Sequence, residues 1–434
     1  MNSVWLDGEE RPSFAPLAES KRTDVLIIGG GMAGILCAYM LRAAGVDCIL
    51  AEADRICGGV TENTTAKITL QHGLIYDKLV RTFGKERARL YLEAQIGAGK
   101  RYERICGHIS CDYEKKDSYV YSVDDRAKLE REQMALESIG CRSQLCSELP
   151  LPFDVAGAVK VKDQAQFHPL KFAYSISKGL PIYEKTKVLE LMPHKARTAH
   201  GEIRCEKMII ATHFPVLNKH GGYFLKMYQH RSYVLALDGA ENMGGMYVDE
   251  NDKGLSFRNY KDMLLLGGGA HRTGKKGGGW RELERFAKTH YAGATEVCRW
   301  ATQDCMTLDG ACYIGQYAKS TPDMYVATGF NKWGMTSSMV AAMMLCDMVR
   351  GKRSEYEELF CPSRSMLHPQ LALNAFESVK GLLTPTVPRC PHLGCALKYN
   401  PEEHTWDCSC HGSRFSENGE LINGPATDDL KPKR

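Results

Sequence analysis

The segment from Thr23 to Gly59, TDVLIIGGGMAGILCAYMLRAAGVDCILAEADRICGG, restricts the fold more than any other part of the chain. An apolar run of strand character feeds a glycine turn, an amphipathic helix, a second apolar run and an acid, the order of a dinucleotide-binding βαβ unit. Gly29 falls at the tight turn, Gly31 where backbone must approach a pyrophosphate, and Gly34 where the helix lies close on the strand. The pyrophosphate then rests on the helix N-terminus. Glu52 lies about 20 residues beyond Gly31, where a carboxylate accepts hydrogen bonds from an adenosine ribose. A glycine turn alone is weak evidence. Strand, turn, helix, strand and acid in register carry the reading.

Two further segments favour FAD over NAD as the dinucleotide. GGVTENTTAK, starting at Gly58 and including Gly59 and Thr65, is a small-residue stretch able to pass under a flat ring without side-chain clash. TPDMYVATGFNKWGMTSSMVAAMMLCDMV, starting at Thr321, is another strand, glycine turn and long helix. The pattern resembles the FAD family that includes D-amino acid oxidase, glycine oxidase and sarcosine oxidase, over about residues 20–350. The resemblance implies that Thr328, Gly329, Phe330 and Gly334 line the flavin side. It also implies that MIIATHFP (Met208 to Pro215, with Thr212) approaches the adenine half, and that Val188 of VLEL offers backbone contact to the adenine. LLLGGGAHRTGKKGGGW, from Leu264, imitates a second nucleotide turn. Its glycines lack GxGxxG spacing and KKGGG is a poor helix start, so it is assigned to a substrate domain with its turn facing the flavin.

The remaining body reads as that substrate domain. DKLVRTFGKERARLYLEAQIGAGKRYERIC has helical periodicity, and RSYVLALDG, GMYVDE, GLSFRNY and DMLLLGGG read as strands of an antiparallel sheet roofing the flavin. Substrates of the resembling enzymes are amino acids or N-methylated amines, whose carboxylate needs a fixed cation. Arg258 is the leading candidate, followed by Arg272 and Lys332; a solvated surface charge or a flavin contact is the ordinary alternative for each. His271 and His213 are candidates to take a proton from a substrate ammonium, against the commoner structural role of a lone histidine. Cys305 and Cys312 do not fall at the offset that covalent flavin attachment would need, so noncovalent FAD is expected.

The last tenth of the chain holds CPHLGCALKYNPEEHTWDCSCHGSRF, Cys390 to Phe415. Cys390 and His392 form one pair, Cys408 and His411 another. Two thiolates and two imidazoles can hold zinc or a [2Fe-2S] cluster. Each loop supplies one Cys and one His, which suits a cluster with cysteines on one iron and histidines on the other; a zinc finger commonly offers CxxC and HxxxH pairs. The two boxes, followed by Gly424-Pro425-Ala426, resemble a Rieske domain. That resemblance implies a disulfide between Cys395 and Cys410. Ser413 stands where a hydroxyl donates to the cluster, but Phe415 replaces the tyrosine of high-potential Rieske proteins. A potential below the respiratory ones is expected, within the roughly −150 to +300 mV band of these centres. Only ESVKGLLTPTVPR separates the main body from Cys390, so the strands that usually precede the first ligand loop are missing.

The chain as a whole resembles bacterial fusions of a glycine-oxidase-like or D-amino-acid-oxidase-like FAD protein with a C-terminal Rieske domain. The expected fold is α/β: a Rossmann-like FAD-binding domain (about 20–80, 155–222 and 300–352), an α+β substrate domain (about 81–154 and 223–299) and a small all-β module at 376–434. The expected activity is hydride transfer from an amine or amino acid to FAD, with electrons leaving through the cluster to an external carrier. A reductase running backwards and a non-catalytic redox sensor are the alternatives. With 434 residues, 44% hydrophobic, two or three cores are affordable. A net charge of +4 with interspersed charges and only a short KPKR tail speaks against nucleic acid. No membrane span or leader is expected, and the reading is a cytoplasmic enzyme.

Overall fold

The computed structural model describes residues 2–216, 221–385 and 388–431. Positions 217–220 of the middle flavin part, Thr386 and Val387 of the link and the KPKR tail beyond Lys431 lie outside the described residues.

The glycine-turn strand Lys21–Ile28 is central in the first sheet, paired in parallel with Cys48–Ala51 on one side and Glu202–Ile210 on the other. Met324–Thr328 continues the parallel run, and Tyr313–Gln316 closes it antiparallel. Val25 to Ile28 are all buried, as a parallel strand covered on both faces requires. Helices Met32–Ala43 and Gly334–Val349 pack on each other and on this sheet. Both glycine turns therefore open at the same end of the sheet, beyond the carboxyl ends of the strands, where ligands of such sheets bind.

A second sheet of nine strands lies beside it, in the order Thr295–Thr307, Met227–Asp238, Met263–Arg272, Ser256–Tyr260, Met246–Asp249, Glu114–Ser122, Gly157–Gln166, Lys67–Ile68, with Gln144–Cys146 on Gly157–Gln166. The expected domain boundaries need moving here. Gly157–Gln166 and most of Thr295–Thr307 fall inside segments assigned to the flavin domain. Their long antiparallel pairings with Glu114–Ser122 and Met227–Asp238 put them in the roof instead.

The third sheet has four short strands, Leu397–Asn400, Thr405–Cys408, Arg414–Ser416 and Leu421–Asn423. Four such strands enclose little apolar volume. Scaffold comes instead from helix Pro369–Leu383, which begins before the expected module boundary and lies against the cysteine loops. A Cβ at Gly381 would come within 2.4 Å of Cys410 Sγ. Among the described residues, no helix is long and apolar enough to cross a membrane.

Candidate functional site

Between the two sheets opens a cavity of about 1460 Å³, above the roughly 300–1,000 Å³ of ordinary ligand pockets. Its floor is the first glycine turn. Gly29 has φ +107°, and a Cβ there would sit 2.6 Å from Ala211 O; a Cβ at Gly34 would sit 1.9 Å from Gly29 O. Side chains at either place would push the strand off its neighbour or the helix off the strand. The Gly30 and Asp54 N–H groups donate to the Glu52 carboxylate at 2.6 and 2.8 Å. Burial pushes the Glu52 pKa up while those N–H donors pull it down. A carboxylate has about four acceptor positions, so two are left for ribose hydroxyls.

Gly31, Gly59, Thr65, Val188, Thr212, Phe330 and Gly334 line the cavity with Gly29 and Glu52. Gly34, Thr328 and Gly329 stand behind its wall: Thr328 gives its hydroxyl to His213 O. His213 Nε2 and Thr302 Oγ1 are buried at the cavity with no hydrogen-bond partner among the described residues. Such orphaned groups call for a polar ligand, and together with the glycine cradle and the acid they fit a flavin dinucleotide.

The residues expected to handle substrate are distributed differently. Arg258 is 1% exposed. It donates to Thr65 O and Ala66 O at 2.7 and 3.0 Å, with its guanidinium 5.4 Å from the Trp5 ring. It stands outside the cavity lining and anchors the small-residue segment at Thr65 and Ala66, which corrects its assignment as carboxylate receptor. His271 also misses the cavity. Gly267, Gly268 and Ala270 of Met263–Arg272 line the cavity, whereas His271 does not and stacks on Tyr233, ring centroids 5.6 Å apart. Lys332 does line the cavity, with Nζ 3.2 Å from Asp252 O, and burial pulls its pKa down.

Near Lys332 lies a residue that sequence reasoning missed. Asp304 lines the cavity, its backbone is in the ladder opposite His230, and its carboxylate has no hydrogen bond or ion pair among the described residues. Burial pushes its pKa up to about 6, opposed by the charges of Lys332 and Arg231. Across the ladder, His230 stands opposite Asp304 and Ser232 opposite Thr302. QDC carries no motif, and only strand register reveals which of its residues faces the cavity.

The cluster loops meet on the far side of the roof. The His392 and His411 rings have centroids 4.9 Å apart, each set edge-on to Phe224. Both ring nitrogens of His392 and Nδ1 of His411 are buried without partners. Cys390 and Cys408 are buried beside them and interact through their thiols. Two thiols and two imidazoles with unused nitrogens are the donor set of a Rieske centre. The sulfurs of Cys395, Cys408 and Cys410 lie within 4.8 Å of one another. No disulfide joins Cys395 to Cys410 in this structure: the pair are adjacent free thiols, which departs from the expected bridge. Ser413 Oγ accepts the Ala426 N–H at 3.0 Å, and Phe415 is fully buried.

Roof and loops are bonded directly. Gln229 Nε2 donates to His411 O at 3.0 Å and Gly424 O at 2.8 Å, and Gln303 Nε2 donates to Gly412 O at 2.9 Å. Arg272 donates to Ser409 O and Cys410 O, both at 3.1 Å. The turn after Arg272, expected to face the flavin, reaches this loop instead, since a Cβ at Gly274 would lie 2.6 Å from Ser409 N. Arg231 and Tyr233 hold Glu403, which Arg414 also meets at 2.7 Å. Residues 421–428 of the module form part of the cavity wall.

These features define a flavin-dependent oxidoreductase joined to an iron–sulfur module. A model of the family "FAD dependent oxidoreductase" matches residues 24–348, and the chain belongs to that family. A model of the "Rieske [2Fe-2S] domain" matches residues 351–433. The cofactors are accordingly FAD and a Rieske-type [2Fe-2S] cluster. A Rieske 2Fe-2S iron-sulfur protein of Bacillus subtilis, YhfW, is 34% identical across 99% of this chain and 97% of its own length. Gamma-glutamylputrescine oxidoreductase of Escherichia coli is 23% identical across 79% of this chain and 87% of its own. Among solved structures, glycine oxidase from Geobacillus kaustophilus superposes with a TM-score of 0.68 at 19% identity, covering 80% of this chain and 99% of its own.

Proposed function

We propose that the protein oxidises the CH–NH bond of an amine or amino acid at FAD and passes the electrons through the Rieske cluster to an external acceptor. The observation that carries this reading is the shared wall: residues 421–428 of the cluster module close the flavin cavity, and Gln229 touches both the cavity and the His411 carbonyl. FAD supplies acceptance of a hydride, hence two electrons, and the [2Fe-2S] centre supplies one-electron exchange. The C–H bond breaks, an imine forms, and water converts it to a carbonyl compound and the released amine; two turnovers of a one-electron acceptor balance each substrate.

The chain's own residues hold and orient. Asp304 receives the substrate nitrogen as an ammonium and takes its proton before transfer, since a neutral amine is the better hydride donor. Lys332 sets the charge of Asp304 and offers a cation to a substrate carboxylate. Arg258 acts indirectly by fixing the Thr65 and Ala66 carbonyls. Anaerobic titration with a panel of amines and amino acids, following flavin bleaching together with the Rieske absorption, tests this. Bleaching of the flavin followed by cluster reduction is expected. No bleaching by any donor, with flavin reduction by reduced ferredoxin or a nicotinamide system, overturns the direction of flow.

A further inference from the structure

Helix Pro369–Leu383 covers the Cys395/Cys410 side of the cluster loops, and its other side faces solvent. Asn374 and Gly381 are buried, and the Cys410 thiol meets Glu377 O at 3.6 Å. At 100° per residue the opposite half presents Leu373 (57% exposed), Phe376 (64%), Val379 and Leu383 (77%) with no acidic side chain among them. Leu393, exposed in the ligand loop next to His392, extends the apolar surface toward the cluster. An apolar arc of this size on a soluble surface marks an interaction site.

The unpaired charges on and beside it are basic, with Lys380 on the arc itself between Leu373 and Phe376. Lys380 and Lys398 are exposed, and Lys275 is paired with Glu377 at 2.5 Å. Burial, and after it the nearby charges of Lys275 and Lys380, lower the Lys398 pKa against the Glu377 carboxylate, so the three lysines stand close together. A second copy is a poor occupant, because a two-fold contact of this arc would bury Lys380 of both copies among apolar side chains with no acid on the arc to pair them. A bilayer surface suits a helix whose polar face is free and whose lysines flank both edges; here the side opposite the arc is buried on the cluster loops and Lys380 lies within the arc.

We infer that this face, Leu373, Phe376, Lys380, Val379, Leu383 and Leu393 with Lys275 and Lys398 beside it, docks an acidic one-electron carrier protein across the helix from the cluster loops. The inference rests on the cluster being the point of electron exchange, and holds for either direction of flow. One electron passes per encounter, leaving carrier and cluster each changed by one.

Full-length protein holding both cofactors is mixed with reduced plant-type [2Fe-2S] ferredoxin as the acidic probe, and cluster reduction is followed by stopped flow at rising salt. The expected rate falls with salt, and Phe376→Ser and the pair K380E/K398E each slow it about tenfold. Reduction by dithionite and the cluster EPR spectrum stay as in the parent, which shows that the variants are folded and loaded. Zero-length carbodiimide cross-links to ferredoxin map to Lys275, Lys380 or Lys398. The inference is overturned by rates insensitive to these variants or by cross-links elsewhere. It is equally overturned by a homodimer, or by binding to phosphatidylglycerol vesicles, that Phe376→Ser abolishes. Because the probe reduces the cluster without any amine, a failed search for a substrate leaves this test intact.

Discussion

The flavin cradle and the cluster site of this chain are built in opposite ways. The cradle is local: Gly29, Gly31, Gly34 and Glu52 come from one strand–helix–strand unit, and the Gly30 N–H to Glu52 contact closes it. The cluster site is borrowed. Its four candidate ligands come from two short loops, but Arg272, Gln229, Gln303, Phe224 and helix Pro369–Leu383, all outside the small sheet, hold those loops in place. A domain with a large parallel sheet can bury its own site, whereas four strands of three or four residues cannot, and need a neighbour's surface.

The largest expected effect breaks the comparison outright. His392→Ala removes a proposed ligand and should abolish the cluster EPR signal, leaving FAD bound at the parental flavin-to-protein ratio; loss of flavin as well would show that the cradle too depends on the loaded module. Next comes the joint. Glu403 is held by Arg231, Arg414 and Tyr233, and its pKa lies below the ordinary carboxylate value because of those two guanidinium charges, against burial. Glu403→Gln leaves buried Arg231 and Arg414 short of a counter-charge, a change worth about 3–5 kcal/mol for a buried pair. Hydrogen exchange should show residues 388–431 opening while strand Lys21–Ile28 stays protected. The charge state gives a matching pH dependence. With the folded pKa depressed, this stabilisation is present above the unfolded glutamate value of 4.5 and lost as pH falls through the lower folded value.

The smallest effect is the sharpest, because adjacent residues of one strand should report on different sites. Gln303→Leu takes a donor from Gly412 O and should alter the cluster spectrum and lower stability by about 1–3 kcal/mol, with flavin bleaching retained. Asp304→Asn should slow bleaching by substrate and leave the cluster spectrum alone. Burial raises the Asp304 pKa from 3.8 to about 6. Ionisation therefore costs folded stability that is lost as pH rises from about 4 to 6, while substrate oxidation gains its acceptor over the same rise. The Asn variant should lose the step near pH 6 in the bleaching rate, measured anaerobically across pH 5–8.

The cradle was legible because glycine positions and a distant acid are properties of a linear segment. The ligand loops were legible for the same reason, since CPHLGC and CSCHGSRF each place their donors within a few residues. Arg258 misled because a cationic side chain on a strand carries no mark of its partners, and here the partners are the Thr65 and Ala66 carbonyls, nearly 200 positions away. His271 misled because the face of a strand depends on its register with its neighbours. The same register supplied Asp304, which no spacing pointed to.

By itself the sequence determined the cofactors, because their binding groups lie close together along the chain and few other arrangements use them. Tertiary structure alone decided that residues 421–428 wall the flavin cavity, that Gln229 links it to the His411 loop, and that Asp304 faces the cavity. Those facts depend on how strands pair and sheets pack, interactions between residues far apart in the chain, which local composition does not encode.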